Sequence, residues 1–274
     1  MRLGAPIEKT NSPEEWIAAL QSAGYRAAYC PVDNTTDSVT IADYASAAQQ
    51  ADIVIAEVGA WSNPISPDEN IRQEAIEKCQ RQLALADEIG ARCCVNIAGS
   101  RGTEWARPHQ DNLIQDTFDL IVETTRLIID AVQPKRTFFT LEAMPWIFPD
   151  SPENYLELIQ AIDREQCAVH LDPVNMINCP RRYFDNTGFL KSCFSILGPY
   201  IKSCHAKDII MSNDLTVHLD EVRPGLGTLD YQTFIKEVNQ LGDIPFMLEH
   251  LPMSEYKLAA DYVRQIAHEV QISL

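Results

Sequence analysis

The sequence has little positive charge and no cluster of basic residues. Lys and Arg total 22 against 39 Asp and Glu, which gives a formal net charge of −17 at pH 7. Proteins that bind a phosphate backbone use basic patches, and a run of five or six Lys or Arg does not occur here. We therefore expect no nucleic-acid partner, although a local basic site could still hold a small anion.

Long hydrophobic runs and paired cysteine motifs are also missing. No stretch reaches the roughly 18 consecutive apolar residues of a membrane span, and the N-terminus lacks the apolar segment of a secretory signal. The eight cysteines show no C-x-x-C spacing, and Cys93, Cys94, Cys167 and Cys204 lie in apolar runs. We expect a cytoplasmic protein without membrane association, whose cysteines are reduced and buried.

Strand-like and helix-like segments alternate along the 274 residues. Short apolar runs predict strands near residues 2–7, 26–32, 52–58, 92–98, 137–143, 167–171, 201–206 and 245–250. Helical patterns follow each run, at about 12–23, 39–50, 66–89, 110–132, 151–164, 186–197, 229–241 and 254–272. Near-continuous apolar strands indicate a parallel sheet buried on both faces. The pattern predicts an α/β fold, a single (β/α)8 TIM barrel domain over 1–274, with a doubly wound open sheet as the alternative.

Three of the predicted helices begin with the same pattern of residues. Ser12, Ser66 and Ser151 are each followed by Pro and then by an acidic residue. A Ser hydroxyl accepts a free backbone N–H, Pro suits the first helical position, and carboxylates suit the positive end of the helix dipole. Each Ser is therefore predicted to be an N-cap.

Ionisable side chains end four consecutive predicted strands. They are Glu142, Asp172, His205 and Glu249, each preceded by an apolar segment. In such barrels the chemistry lies at the C-terminal ends of the strands, where an unpaired buried charge would be costly. A divalent cation would offset that cost. Three carboxylates and one imidazole suit Mn, Mg or Co, and Zn is a further candidate.

At these strand ends the sequence resembles the xylose-isomerase-like barrel superfamily, which includes sugar epimerases, inosose isomerases and dehydratases, and apurinic endonucleases. The segments that carry the resemblance are Thr140-Leu141-Glu142, His170-Leu171-Asp172-Pro173, His205-Ala206-Lys207-Asp208, the run from Pro224 to Tyr231, and Leu248-Glu249-His250. The resemblance spans all eight strand–helix units. It implies that Glu142, Asp172, His205 and Glu249 are the ligands of one metal ion.

The sequence also departs from parts of this superfamily. Its third and fourth strands end in Gly59-Ala60-Trp61 and Asn96-Ile97-Ala98-Gly99, where three-zinc endonucleases carry further histidines. Asn175 stands where endonucleases and several ketose epimerases carry His, and Arg223 takes the approximate place of another endonuclease ligand. With the acidic net charge, these differences disfavour DNA repair. The change at Asn175 also disfavours a ketose 3-epimerase.

Further residues are candidates for substrate binding. His170 shares a strand face with Asp172 and could orient a ligand or the substrate, or could be a core histidine. Asn175 follows the same strand. Lys207 could neutralise an enolate or a phosphate, the alternative being an ion pair with Asp208. Arg223 could clamp substrate oxygens.

Three tryptophans follow predicted strands and would lie in loops over the barrel mouth. They are Trp61, Trp105 and Trp146. Aromatic faces at such positions suit the apolar C–H faces of a sugar ring. The alternative is that each tryptophan packs within its own loop.

These features predict a divalent-metal-dependent isomerase or epimerase of a keto or aldo sugar or polyol, acting through an enediolate. Glu142 and Glu249 would remove and return the proton. One alternative is a metal-dependent lyase of the inosose dehydratase or 3-keto-glycoside deglycosidase type, and another is a binding or scaffold protein. The sequence leaves open the sugar, its phosphorylation, the native metal, and whether the chain forms a homo-oligomer or takes an accessory subunit.

Overall fold

Eight parallel strands close into a barrel in the computed structural model, which describes residues 1–274. The chain forms ten strands in all, which are β1 (Arg2–Gly4), β2 (Ala27–Tyr29), β3 (Val54–Gly59), β4 (Cys93–Ile97), β5 (Phe138–Glu142), β6 (Cys167–Leu171), β7 (Ile201–Ala206), β8 (Asp208–Met211), β9 (Leu219–Val222) and β10 (Pro245–Leu248). All except β8 and β9 belong to the barrel, in the order β1-β10-β7-β6-β5-β4-β3-β2. The prediction of a (β/α)8 barrel is confirmed, and the open-sheet alternative is wrong.

A ring of helices surrounds the barrel, and a long helix follows each barrel strand before the next one begins. The helices are α1 (Pro13–Ala23), α2 (Ser38–Gln50), α3 (Glu69–Ile89), α4 (Gln115–Val132), α5 (Pro152–Ile162), α6 (Pro173–Met176), α7 (Pro180–Phe184), α8 (Asn186–Leu197), α9 (Tyr231–Gln240) and α10 (Met253–Glu269). The short helices α6 and α7 were not predicted. No helix is both long enough and apolar enough to cross a membrane.

Two of the three predicted Ser N-caps are present. Ser12 and Ser151 each accept a hydrogen bond from the backbone N–H three residues later. The prediction for Ser66 is wrong, because α3 begins at Glu69 and its N-cap is Asp68. The Asp68 carboxylate accepts the free N–H groups of the first turn, while the Ser66 hydroxyl accepts the N–H of Asp68 itself. An acidic cap two residues closer to the helix therefore replaces the serine.

An antiparallel hairpin, β8–β9, rises from the barrel mouth directly after β7, where the sequence predicted only a connection. Its base is tied down by Asp208, whose carboxylate accepts the N–H groups of Gly225, Gly227 and Leu229 at 2.9–3.0 Å. A Cβ on Gly227 would lie 2.2 Å from Asp208 Oδ1, so this close approach requires glycine. The Pro-Gly-Leu-Gly segment is thus a turn anchored on Asp208.

Ion pairs cover the opposite, N-terminal end of the barrel. Arg2 lies 2.8 Å from Asp52 and 2.5 Å from Asp243, and these two aspartates also pair with Arg26 and Arg92, respectively. The network joins β1 to the loop before β10, where the sheet closes on itself. In this barrel type the end remote from the strand C-termini serves stability.

All eight cysteines are free, and six of them are buried, including the four placed in apolar runs. Burial raises the pKa of the Cys167 thiol to about 12, so that this thiol stays protonated near neutrality. These side chains act as small apolar groups of the core, as expected.

Candidate metal centre and adjoining cavity

The structure brings the four predicted ligand side chains together at the C-terminal end of the barrel. Glu142 ends β5, Asp172 directly follows β6, His205 lies in β7 and Glu249 directly follows β10. One donor atom from each lies within 4.8 Å of the others. His205 Nδ1 is 3.0 Å from Glu249 Oε1, 3.3 Å from Glu142 Oε1 and 3.7 Å from Asp172 Oδ2. Four side chains distant in the chain thus face one point.

The buried carboxylates of this group fit a divalent cation. Asp172 Oδ2 and Glu249 Oε1 are buried without an aligned hydrogen bond, and the one ammonium group within ion-pair distance of both is that of Lys207. Buried carboxylate charge is costly unless it is compensated, and a metal ion would offset the negative charge that three carboxylates bring to this point. Three carboxylates and one imidazole nitrogen are a suitable donor set for Mn²⁺ or Mg²⁺.

Lys207 adds a buried positive charge to the same group. Its ammonium lies within ion-pair distance of Asp172 Oδ2, at 2.8 Å, and of Glu249 Oε1, at 2.6 Å. Burial lowers the pKa of Lys207, but these carboxylates outweigh that effect and hold the pKa well above its usual value. The alternative of an ion pair between Lys207 and Asp208 is wrong, because the Asp208 carboxylate is occupied by backbone N–H groups of the glycine turn.

The two glutamates of the centre have opposite pKa shifts. Burial, reinforced by the charge of Glu249, raises the pKa of Glu142 to about 7. Burial also acts to raise the pKa of Glu249, but His205 and Lys207 outweigh it and lower the value to about 2. Without a bound cation, Glu142 therefore exchanges a proton near neutrality while Glu249 stays ionised. Such a divergence between neighbouring carboxylates is typical of acid–base sites.

Asn175 links Glu142 to Lys207. Its side-chain amide donates a 2.9 Å hydrogen bond to Glu142 Oε1, and its carbonyl oxygen accepts one from Lys207 at 3.2 Å. Asn175 stands in the first turn of α6, whose N-cap is Asp172. The residue therefore orients a carboxylate of the centre and binds its lysine.

Glu57 is a site residue that the sequence analysis missed. It lies in β3, only 2% exposed, with Oε1 3.4 Å from His205 Nε2 and Oε2 3.4 Å from His170 Nδ1. An acid inside the apolar segment Val-Ile-Ala-Glu-Val was the signal that could have found it. His170 is fully buried beside His205, with the two ring centres 4.0 Å apart. His170 therefore lies beside the predicted ligand His205, and its contact with substrate stays a prediction.

A cavity of about 590 Å³ opens beside Glu249, between the loops that follow β1, β2 and β3. Aromatic side chains form much of its wall, and charged groups from the first loop complete it; these residues are Trp16, Tyr29, Trp61, Tyr256, Glu8 and Lys9. The Tyr29 hydroxyl donates a 3.1 Å hydrogen bond to the backbone of Leu248, which holds the wall against the strand that carries Glu249. Trp61 thus lies in the predicted place.

Trp61 is the one predicted substrate residue that lines this cavity, and three of the other six lie in loops away from it. Trp105 lies in a separate surface depression on the other side of Trp61. Trp146 packs partly buried against the core, because its loop folds inward after β5. Arg223 lies 3.4 Å from Glu255 of α10, so that its guanidinium is paired outside the cavity. Contact of these three residues with substrate stays a prediction.

His250 is a second residue that the predictions left out of the site. It lines the cavity directly after Glu249, in a left-handed backbone conformation with φ of 56°. Its Nδ1 lies 3.2 Å from Glu221 Oε1 of the β8–β9 hairpin. The hydrogen bond to Glu221 raises the pKa of His250, although partial burial opposes the rise. The pair connects the hairpin to the rim of the cavity.

The chain matches one family model over most of its length. Residues 17–266 match the family described as "Xylose isomerase-like TIM barrel". No curated protein sequence matches the chain.

Solved structures match nearly the whole chain at low identity. D-psicose 3-epimerase from Clostridium cellulolyticum H10, in a structure with D-tagatose, is 15% identical with a TM-score of 0.69, over 97% of this chain and 99% of that chain. The "probable 3-DHS dehydratase" of Bacillus anthracis is 16% identical with a TM-score of 0.71, over 97% and 99%. A xylose isomerase-like barrel protein of Mycobacterium smegmatis in complex with magnesium is 15% identical with a TM-score of 0.67, over 96% and 90%. At such identities the similarity shows the fold.

Proposed function

Because the chain belongs to the xylose isomerase-like TIM barrel family, we propose that it is a divalent-metal-dependent isomerase or epimerase of a keto or aldo sugar or polyol. The observation that carries this proposal is the convergence of Glu142, Asp172, His205 and Glu249 at the C-terminal end of the barrel, beside an aromatic cavity. In this proposal, residues 1–274 form one barrel domain.

The four convergent side chains would hold one cation, Mn, Mg or Co, with Zn as a further candidate. Bound there, the cation would supply Lewis-acid polarisation of a substrate carbonyl and make the neighbouring C–H acidic. The magnesium in one similar structure agrees with an oxygen-rich donor set of this kind.

Glu142 and Glu249 move the proton in the proposed mechanism. Both carboxylates lie within 3.3 Å of His205 Nδ1, so one could remove a proton from the substrate carbon and the other could return it. Return to the opposite face gives epimerisation, and return to the neighbouring carbon gives isomerisation. Asn175 keeps Glu142 oriented through its 2.9 Å hydrogen bond.

Lys207 stabilises the negative charge that develops on the substrate oxygens. Its ammonium is 2% exposed and already held within the group of carboxylates, so it needs no reorganisation when the enediolate forms. The aromatic wall with Trp61 would receive the C–H face of the sugar.

A lyase is the second candidate, and His250 favours it. A β-elimination starts from the same enolate but must also protonate a leaving group, and His250 lies at the cavity rim with Glu221 behind it. The substrate would then be an inosose or a 3-keto glycoside, and the product would be unsaturated. Asn175, where several ketose epimerases carry His, also agrees with this alternative.

The test uses the Mn²⁺-loaded protein with keto-sugars, inososes and 3-keto glycosides in D₂O. An isomerase or epimerase should introduce one deuterium into the product at a single carbon and release nothing. Release of water or an aglycone with an unsaturated sugar would establish the lyase instead. If the loaded protein causes neither exchange nor product formation with any of these compounds, the enzymatic proposal is wrong and a binding protein remains.

A further inference from the structure

The two ring nitrogens of His205 face two different groups of acids. Nδ1 faces the candidate metal centre, 3.0 Å from Glu249 Oε1 and 3.3 Å from Glu142 Oε1. Nε2 points to the other side and forms a 3.4 Å hydrogen bond with Glu57 Oε1. The imidazole is fully buried, and Glu57 is 2% exposed where it borders the aromatic cavity.

We propose that Glu57 is a positioning residue, which holds His205 with its Nδ1 lone pair directed at the cation. A neutral imidazole carries one N–H and one lone pair. Donation of Nε2–H to Glu57 fixes the tautomer in which Nδ1 is free to bind metal. Histidine ligands commonly donate their other ring N–H to a carboxylate in this way. The proposal rests on the metal centre of the proposed function, and not on the identity of the sugar.

The surroundings of Glu57 leave it no comparable partner. Its other oxygen, Oε2, is buried without a hydrogen bond, since His170 Nδ1 lies 3.4 Å away but outside hydrogen-bonding alignment. A carboxylate that is almost fully buried in a barrel strand is costly unless it is paired. The hydrogen bond to His205 is therefore the interaction that its position in β3 provides.

A second metal ion is the competing explanation for this group. Glu57, His170 and His205 each offer a donor atom within 4.8 Å of the others. However, His205 would have to serve both groups, and a neutral imidazole has only one lone pair to give. Bridging two cations would require removal of its second proton. The geometry thus favours one cation per chain, with Glu57 as the hydrogen-bond partner of its histidine ligand.

The test compares Mn²⁺ binding by wild type, Glu57→Gln and Glu57→Leu, with the free ion measured by electron paramagnetic resonance. Wild type should bind one ion per chain. Glu57→Leu should bind it about 10- to 100-fold more weakly, as expected for a lost carboxylate partner, and Glu57→Gln, which keeps an acceptor oxygen, should fall between the two. Thr140→Val is the matched control, since Thr140 is a fully buried polar residue of β5 that bonds the backbone of Cys94. Its affinity should equal that of wild type.

A second measurement reports the tautomer directly. In the Mg²⁺-loaded protein, nitrogen-15 NMR of the His205 ring should show a protonated Nε2 and an unprotonated Nδ1. A protonated Nδ1, two bound ions per wild-type chain, or wild-type affinity in folded Glu57→Leu would overturn the proposal. If Glu57→Leu fails to fold, wild-type affinity in Glu57→Gln overturns it. Metal binding without turnover on any sugar would count only against the proposed function.

Discussion

Lys207 and Glu249 form an ion pair of 2.6 Å in which both side chains are nearly or fully buried, 1% and 10% exposed. The ammonium therefore lies against a carboxylate oxygen that the proposed cation would also contact. The positive charges of Lys207 and of the proposed metal ion thus stabilise the same ionised carboxylates. In the metal-free protein, Lys207 and His205 together offset the charge of these carboxylates.

Lys207→Met should make the protein far more dependent on metal for its stability. Removing one partner of a buried ion pair costs about 3–5 kcal/mol, because the carboxylates lose their compensating charge. Differential scanning calorimetry with and without Mn²⁺ should show a lower Tm for the metal-free variant and a larger rise on adding Mn²⁺ than in wild type. Lys202→Met is the control, since Lys202 lies on the same strand over the Phe138 ring. Equal Mn²⁺-induced shifts in Lys207→Met and wild type would contradict the shared role.

The glutamate pair should control turnover more than binding. Glu142→Gln and Glu249→Gln remove a proton acceptor while keeping an oxygen ligand, so each should lower kcat by about 10²- to 10⁴-fold with a smaller change in KM. The double variant should be little worse than the poorer single, because residues that act as a unit are not additive. Steady-state kinetics on the metal-loaded protein checks this, with Glu255→Gln as the control outside the centre. Near-normal kcat in a metal-loaded single variant would remove that glutamate from the chemistry.

Because only one of two tryptophans lines the cavity, we expect their replacement by alanine to have different effects on KM. Trp61 lines the cavity beside the metal centre, whereas Trp105 lies in a separate depression. Loss of an aromatic face worth about 0.5–1.5 kcal/mol should raise KM in Trp61→Ala by roughly 2- to 12-fold. Trp105→Ala should leave KM unchanged. If Trp105→Ala raises KM as much as Trp61→Ala does, the substrate lies elsewhere on the barrel mouth.

His250 should titrate above its usual range in the metal-free protein, because its hydrogen bond to Glu221 raises its pKa. The bond's contribution to stability is fully present below the unfolded pKa of about 6.5 and is lost as pH rises through the higher folded pKa. NMR titration of the chelator-treated protein measures this pKa. Glu221→Gln should lower it toward 6.5, and Glu255→Gln should not. An unchanged pKa in Glu221→Gln would assign the shift to another group.

The sequence predicted the barrel and its group of three acids and one histidine because both features are encoded locally in the chain. An apolar run that ends in an ionisable residue marks one strand and its C-terminal end at once. Barrel closure then places Glu142, Asp172, His205 and Glu249 side by side. The positions of these residues at the ends of predicted strands were enough to predict the group, without knowledge of any loop conformation.

Other parts of the site depend on contacts that periodicity does not encode. Glu57 contacts His205 because closure of the barrel places β3 opposite β7. These two strands lie far apart in the sequence. The loops that carry Trp146 and Arg223 are held by packing against the core and by an ion pair with Glu255, neither of which the sequence pattern encodes. The β8–β9 hairpin was missed because the apolar strand β8 follows β7 after a single residue, and because β9 is four residues long with none of them buried.

The closure of the barrel at β1 and β10 has a consequence for the synthesis of the chain. Arg2 and its partner Asp243 are 241 residues apart, so the first strand emerges from the ribosome long before its second neighbour exists. Until β10 emerges, β1 and β7 are open sheet edges, which can pair with other chains. The nascent barrel therefore keeps two edges open to aggregation until its last strand is added.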